Sequence, residues 1–266
     1  MRSTMLPAVL ATIVLGACGS EDSPRPVTEE TVELNEYGVI RVDHDTATDQ
    51  TQLDAVFCAL SRATSAGDID AQFQSQGDSC TVSNDSADNS NAIAALSCSD
   101  ALPAQSVSAG SNLLMSSAAG SYADLTRQTT DEVITYTTGS TLPRPPDGLT
   151  IDIPGDAFPQ FSAVQIPDLE DLQISSPESG EALRSDTPIR WNAASDRTNF
   201  RVLLTASDAD VTVTCSLTDD GRFNFPSATQ AELGDLFAAT TVSIRRQNVV
   251  SPTRGDSGLV IITSIR

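Results

Sequence analysis

Short runs in which apolar and polar residues alternate occupy most of the chain after its N-terminal segment. Valine, isoleucine, threonine and tyrosine dominate these runs, and they favour the pleated, half-buried surface of a β-sheet. The clearest runs are 38–42, 92–96, 132–137, 149–153, 187–191, 200–204, 211–215, 241–244 and 259–263. Proline, glycine and aspartate separate them, as turns require. The pattern predicts an all-β fold of two antiparallel, sandwich-like domains.

Composition divides the chain into four segments. Residues 1–17 are short and mainly apolar, and residues 18–36 are polar and acidic, which is typical of a disordered linker. A proline-rich junction then separates an acidic β domain, 37–168, from a second β domain, 169–266. We expect each of these two domains to bury a core of its own.

Two segments carry a helical signal within this β pattern. The first is ambiguous between helix and strand, because its apolar residues also fit one helical face: Leu53, Val56, Phe57 and Leu60. The second runs from Ser227 to Gln230, whose spacing is that of a capping box. It predicts one short helix that ends near Gly234.

The segment 169–266 contains about seven predicted strands, with Trp191 on an early one. This arrangement resembles an immunoglobulin-like or fibronectin type III-like sandwich. The resemblance implies that Trp191 anchors the core of this domain. The segment departs from the family pattern in two respects, since it has neither a tyrosine corner nor the Cys–Trp–Cys spacing.

The N-terminal segment has the three parts of an export signal. Arg2 provides the positive charge, residues 5–15 are too short an apolar run to span a bilayer, and the run closes with Leu15-Gly16-Ala17-Cys18. That ending resembles the lipobox of bacterial lipoproteins. The resemblance implies cleavage before Cys18, lipidation of its thiol and attachment to a membrane through the lipid. Gly19 follows in place of the aspartate of retained lipoproteins, which favours the outer membrane.

Four cysteines remain after Cys18, and an even number in an exported chain suggests disulfides. Three pairings are possible. We favour Cys80–Cys98, because these two flank a polar loop, and expect Cys58 and Cys215 either to bridge the domains or to stay free. A thiol metal site is not expected, because the chain has no C-x-x-C pair and a single histidine.

The formal charge of −21, with arginine as the only basic residue type besides one histidine, restricts the function. Such a surface argues against nucleic acid and anionic lipid as partners. The absence of lysine and the single histidine remove most acid–base, Schiff-base and zinc chemistry. We therefore expect a non-enzymatic, lipid-anchored envelope protein that presents its β domains to a protein or glycan ligand or serves a structural role, without a cofactor or metal.

One alternative is a hydrolase acting through carboxylates or through Ser257 with His44 as base. The motif Gly255-Asp256-Ser257-Gly258 resembles the nucleophile loop of chymotrypsin-like proteases. Leu259 departs from that pattern, and too few residues follow for the family fold. A turn between two strands accounts for the motif without catalysis.

Another alternative is a calcium-dependent adhesin, since several loops are rich in carboxylates. They include Asp43, Asp45 and Asp49, the segment 84–89, and Asp208 with Asp210. None has the glycine and terminal glutamate of an EF-hand loop.

Overall fold

Strands form nearly all of the regular structure in the computed structural model of the chain. The structure describes residues 32–73, 77–83, 98, 104–178, 180–195, 200–208 and 211–266. The predicted run at 92–96 lies outside these residues. The all-β class predicted from the alternating pattern is confirmed.

The first part of the fold contains nine strands and a helix: β1 (Glu33–Asp45), β2 (Gln50–Ser65), α1 (Ala66–Phe73), β3 (Ser79–Ser83), β4 (Ala104–Ser106), β5 (Asn112–Ser117), β6 (Gly120–Thr130), β7 (Val133–Thr137), β8 (Thr150–Ile153) and β9 (Phe161–Gln165). The second part contains β10 (Ile174–Ser176), β11 (Leu183–Arg184), β12 (Ile189–Trp191), β13 (Phe200–Ser207), β14 (Thr212–Thr218), β15 (Arg222–Phe223), α2 (Ser227–Leu233), β16 (Ala238–Ala239), β17 (Thr241–Val250), β18 (Thr253–Arg254) and β19 (Ser257–Ile265).

One large sheet contains fourteen of these strands, in the order β3-β14-β13-β17-β19-β1-β2-β7-β6-β5-β8-β9, with β18 beside β19 and β4 beside β2. Two small sheets, β10-β12-β15 and β11-β16, complete the fold. The pair β1–β19 is parallel, while the other pairs are antiparallel. The prediction of purely antiparallel sheets is therefore wrong at this pair.

The sheet joins the two halves of the chain that were predicted to be separate domains. β1 pairs with β19, and β3 pairs with β14, so strands from 37–168 and 169–266 share continuous hydrogen bonding. Thr31–Arg266 forms one compact unit. The boundary at residue 168 stays a prediction, and the sheet crosses it at two places.

Strand β19 lies at the centre of this sheet and is buried along its whole length. Leu259 and Ile261 pack into the core on one face, whereas Val260 and Ile262 pack into a second core on the opposite face. Because successive side chains of a strand point to opposite faces, a strand covered on both sides is apolar throughout. The same reason explains the ambiguity at 53–60, which is part of strand β2.

The disulfides differ from the predicted pairing. The structure joins Cys58 to Cys98 and Cys80 to Cys215, so the predicted Cys80–Cys98 pair is wrong. Cys80 and Cys215 are directly opposite each other in the β3–β14 register, with Cα atoms 4.1 Å apart. The disulfide partner of Cys80 is decided by the pairing of strands that lie far apart in sequence. The distance between cysteines along the sequence does not reveal this pairing.

Helix α2 is confirmed where the sequence places it, but its N-terminus is capped differently. Pro226 is the N-cap residue and makes no side-chain capping bond, so Ser227 already lies inside the helix. The Gln230 side chain instead donates to the Phe225 carbonyl (2.7 Å). The helix ends at Gly234 as predicted, with the positive φ of 73° that glycine tolerates best.

A buried ion pair connects the core of the second half to its loops. Arg246 Nε donates to Asp219 Oδ2 (2.6 Å), and both side chains are almost completely buried. Arg246 also donates to the carbonyls of Glu170, Asp171 and Asn192. Trp191 Nε1 donates to Asp219 Oδ1 (2.7 Å), which confirms the burial of the tryptophan in the core.

We predict that Arg246→Met lowers the free energy of unfolding by about 3–5 kcal/mol, because it leaves the Asp219 carboxylate buried without its cation. Arg222→Met is the matched control, since the Arg222 side chain is 77% exposed and 3.8 Å from Asp220. Its effect should stay within about 0.5 kcal/mol. Urea denaturation measures both, and equal losses for the two variants would contradict the central role of the pair.

We also predict that peptide mapping without reductant yields Cys58–Cys98 and Cys80–Cys215 fragments. Removing the second bridge with Cys80→Ser/Cys215→Ser should cost more stability than removing the first, because its loop spans 135 residues against 40. Chain-entropy estimates are about 5 and about 4 kcal/mol. Recovery of a Cys80–Cys98 fragment would show that the structural pairing is wrong.

Candidate functional site

A polar cleft of about 280 Å³ lies where β1 and β19 end, beside the start of β2 and the middle of β17. We call it the polar cleft; it is lined by Asp43, His44, Asp45, Thr48, Gln50, Gln52, Arg245, Ser264 and Arg266. The parallel pairing of β1 with β19 puts Asp43 opposite Ser264. The site therefore combines residues from the two ends of the folded chain.

Both carboxylates of the polar cleft have partners within the protein. Ser264 Oγ donates to Asp43, whose other oxygen lies 4.0 Å from Arg41 Nε. Arg266 donates to Asp45 Oδ2 through Nε (3.0 Å) and Nη2 (2.6 Å). Burial alone would raise the pKa of Asp45, but the hydrogen bonds from Arg266 and the Ala47 amide outweigh it and lower that pKa.

Arg245 is the exception among the charged residues of the cleft. Its half-buried guanidinium makes no hydrogen bond and no ion pair within 4 Å to any part of the chain that the structure describes. Burial lowers the pKa of Arg245, and nearby Asp43 acts in the opposite direction. The cleft thus holds a partly desolvated cation that lacks an acceptor.

His44 is buried in the wall of the cleft and is held by Thr51. The Thr51 hydroxyl donates to the Pro143 carbonyl (3.0 Å), so it accepts the proton of His44 Nδ1 (3.0 Å). Nε2 lies 3.8 Å from Asp49. Burial, followed by the charge of Arg144, lowers the pKa of His44 despite the opposing carboxylates, Asp49 first among them. The ring is neutral at pH 7.

The strand register separates Ser257 from His44. Ser257 is opposite Glu36, eight positions before His44 on β1, which places them about 26 Å apart. Ser257 is buried and donates to Glu36 Oε1 (2.7 Å). The serine version of the hydrolase is therefore wrong, because its nucleophile and base are out of reach. The motif forms a tight turn between β18 and β19, as the sequence predicted, with Gly255 at φ 63°.

A second cleft, of about 380 Å³, adjoins the first and contains Asp54. Asp54 is opposite Arg41 in the β1–β2 register. Burial raises the pKa of Asp54, while Arg41 acts in the other direction. Its wall otherwise consists of uncharged residues, Gln52, Leu53 and the segment 137–141.

The acidic loops that suggested calcium do not form a metal site among the described residues, where no three metal-ligating side chains come together. Asp45 and Asp49 have separate partners, Arg266 and His44. Asp208 Oδ1 accepts the Val211 amide (2.9 Å). The segment 84–89 and Asp210 lie outside the described residues.

Sequence reasoning identified Asp43, His44 and Asp45 but missed Arg245. A signal was present, because two adjacent arginines interrupt an apolar strand and alternation sends them to opposite faces. Arg246 follows Ile244 into the buried core, so Arg245 must lie on the other face.

Comparison of the chain with protein-family models, with curated proteins and with solved structures gave no match. Within the described ranges, none of the helices has the length and apolar character needed to cross a membrane.

We predict that the stability advantage of the wild type over His44→Gln decreases as the pH falls below about 6.5, the usual pKa of histidine. The folded state disfavours the imidazolium, so the unfolded state binds more protons and stability is lost on acidification. Urea denaturation at about pH 8, 6.5 and 5 measures this difference. A difference that is constant, or that grows on acidification, would contradict the lowered pKa of His44.

Proposed function

We propose that this protein is a lipid-anchored protein of the bacterial outer membrane that acts by binding and not by catalysis. Cys18 carries the lipid and a linker leads from it to the β fold; the linker predicted for residues 18–36 is shortened at its end, because β1 already begins at Glu33. The membrane contact is made by the lipid alone, and the partner is a protein or glycan ligand.

The observation that carries the proposal is the state of the cysteines. The chain has five, and four of them are joined in two disulfides. Disulfides persist in oxidising compartments such as the periplasm and the cell surface, which supports export. The remaining cysteine is Cys18, at the position that the lipobox resemblance assigns to the lipid.

The arrangement of polar residues supports binding over catalysis. Ser257 and His44 lie about 26 Å apart along the register. The carboxylates of the polar cleft accept hydrogen bonds from Ser264 and Arg266, which leaves their oxygens engaged. Asp54, the carboxyl whose pKa is raised by burial, stands opposite Arg41. These carboxylates serve the pairing of charges across the sheet.

The immunoglobulin-like interpretation of residues 169–266 belongs to the same proposal. The buried Trp191 on β12 and the antiparallel strands β13, β14 and β17 support it. The pairing of β14 with β3 and of β19 with β1 extends this part of the sheet beyond such a sandwich.

We predict that the full-length chain, expressed in a bacterium with an outer membrane, incorporates labelled palmitate and partitions into the detergent phase of Triton X-114. Cys18→Ala should lose both properties, because no thiol remains to carry the lipid. Ser20→Ala, two residues away, is the control and should keep both. Labelling of Cys18→Ala, or an unlabelled wild type in the aqueous phase, would refute the anchor.

A further inference from the structure

The charge balance of the polar cleft differs from that of the molecule as a whole. The chain has a formal charge of −21, yet the lining of the cleft holds two arginines, Arg245 and Arg266, against two aspartates, Asp43 and Asp45. His44 adds no charge, since burial keeps its ring neutral. The cleft is therefore close to charge-neutral in an acidic protein, and an anion meets less repulsion there than the net charge of the chain would impose.

We propose that the polar cleft binds a small carboxylate ligand of net charge −1, with one carboxylate held by the guanidinium of Arg245. This inference rests on the proposed binding role and adds a small-molecule ligand to the protein or glycan partner. Guanidinium groups bind carboxylates through two parallel N–H···O bonds, which supply both geometry and charge. Arg245 is available for this contact because its donors meet no acceptor in the described part of the chain.

A second donor without an acceptor lies beside the cleft. Gln247 is two positions from Arg245 on β17 and therefore on the same face of the sheet. It is opposite Ser264, a residue of the cleft wall, and is fully buried. Its Oε1 accepts from Arg201 (2.9 Å), but its Nε2 has no partner. Buried donors are seldom left without an acceptor, so Gln247 and Arg245 together give this face of β17 more donors than acceptors.

The surrounding groups favour a single negative charge. The carboxylates of Asp43 and Asp45 lie near Arg245 and would repel a dianion such as phosphate more strongly than a monoanion. Thr48, Gln50 and Gln52 are exposed at the rim and offer hydroxyl and amide groups to the rest of the ligand. A cleft of about 280 Å³ accommodates one monosaccharide or amino acid. Acidic sugars and amino acids share the carboxylate that the site recognises.

The test is isothermal titration of the purified full-length chain in detergent with galacturonate, glutamate, neutral galactose and inorganic phosphate at constant ionic strength. We expect saturable binding of galacturonate or glutamate, and the stronger of the two identifies the source as sugar acid or amino acid. Galactose should bind at least about tenfold more weakly than galacturonate, because it lacks the charged acceptor.

Two variants connect the binding to the cleft. Arg245→Gln should weaken binding of the carboxylate ligand at least about tenfold. Arg222→Gln, outside the cleft, should leave that affinity unchanged. Gln52→Glu, at an exposed position, should weaken binding severalfold by adding a negative charge, and it tests the site even if Arg245→Gln fails to fold.

The proposal is overturned if the dissociation constants of both carboxylates exceed about 10 mM, since this corresponds to a binding free energy weaker than about 3 kcal/mol. It is equally overturned if phosphate or galactose binds as tightly as the carboxylates, or if the folded Arg245→Gln or Gln52→Glu variant keeps wild-type affinity. None of these results concerns palmitate labelling, so a failure of the carboxylate proposal can be distinguished from a failure of the proposed lipid anchor.

Discussion

Strand β19 is hydrogen-bonded along both edges, to β1 on one side and to β17 and β18 on the other, and its nine residues are all buried. The core on each face of the sheet depends on it, since Leu259 and Ile261 contribute to one and Val260 and Ile262 to the other. Its register with β1 also decides which polar groups meet. It places Ser264 at Asp43 and thereby builds the wall of the polar cleft, and it places Ser257 at Glu36, far from His44.

The two neighbouring arginines of β17 show how one strand divides structural from surface roles. Arg246 points into the core, where Asp219 and three backbone carbonyls use its donors. Arg245 points to the other face, where none of the described residues accepts a hydrogen bond from it. A buried cation with a complete set of partners fixes the loops around Trp191, whereas a partly desolvated cation without one is a site at which a ligand gains affinity.

Local sequence patterns were sufficient for the features that depend on neighbouring residues. Alternation predicted the all-β class and several strands, although β5, β6 and β9 lie outside the predicted runs. Asp256 and Gly255 predicted the β18–β19 turn, and Gly234 predicted the end of α2. The failures concern residues brought together across the sheet. Nothing in the spacing of Cys80 indicates that Cys215 lies opposite it, and a period of two is the same for a parallel and an antiparallel partner. Asp43 and His44 could be named as candidates from sequence, but the cation beside them required the register.

The position of β19 also has a kinetic consequence. β1 can form its hairpin with β2 early, but its other edge waits for residues more than two hundred positions further along the chain, as the separation of 221 between Glu36 and Ser257 shows. Topologies dominated by such distant pairings fold slowly, because the entropy of closing a long loop is lost before the stabilising contacts form. During that interval the apolar edge of β1 is open to any other extended chain. The time that a newly synthesised copy spends in this half-paired state therefore sets its risk of aggregation, and a chaperone that covers one strand edge would be enough to reduce it.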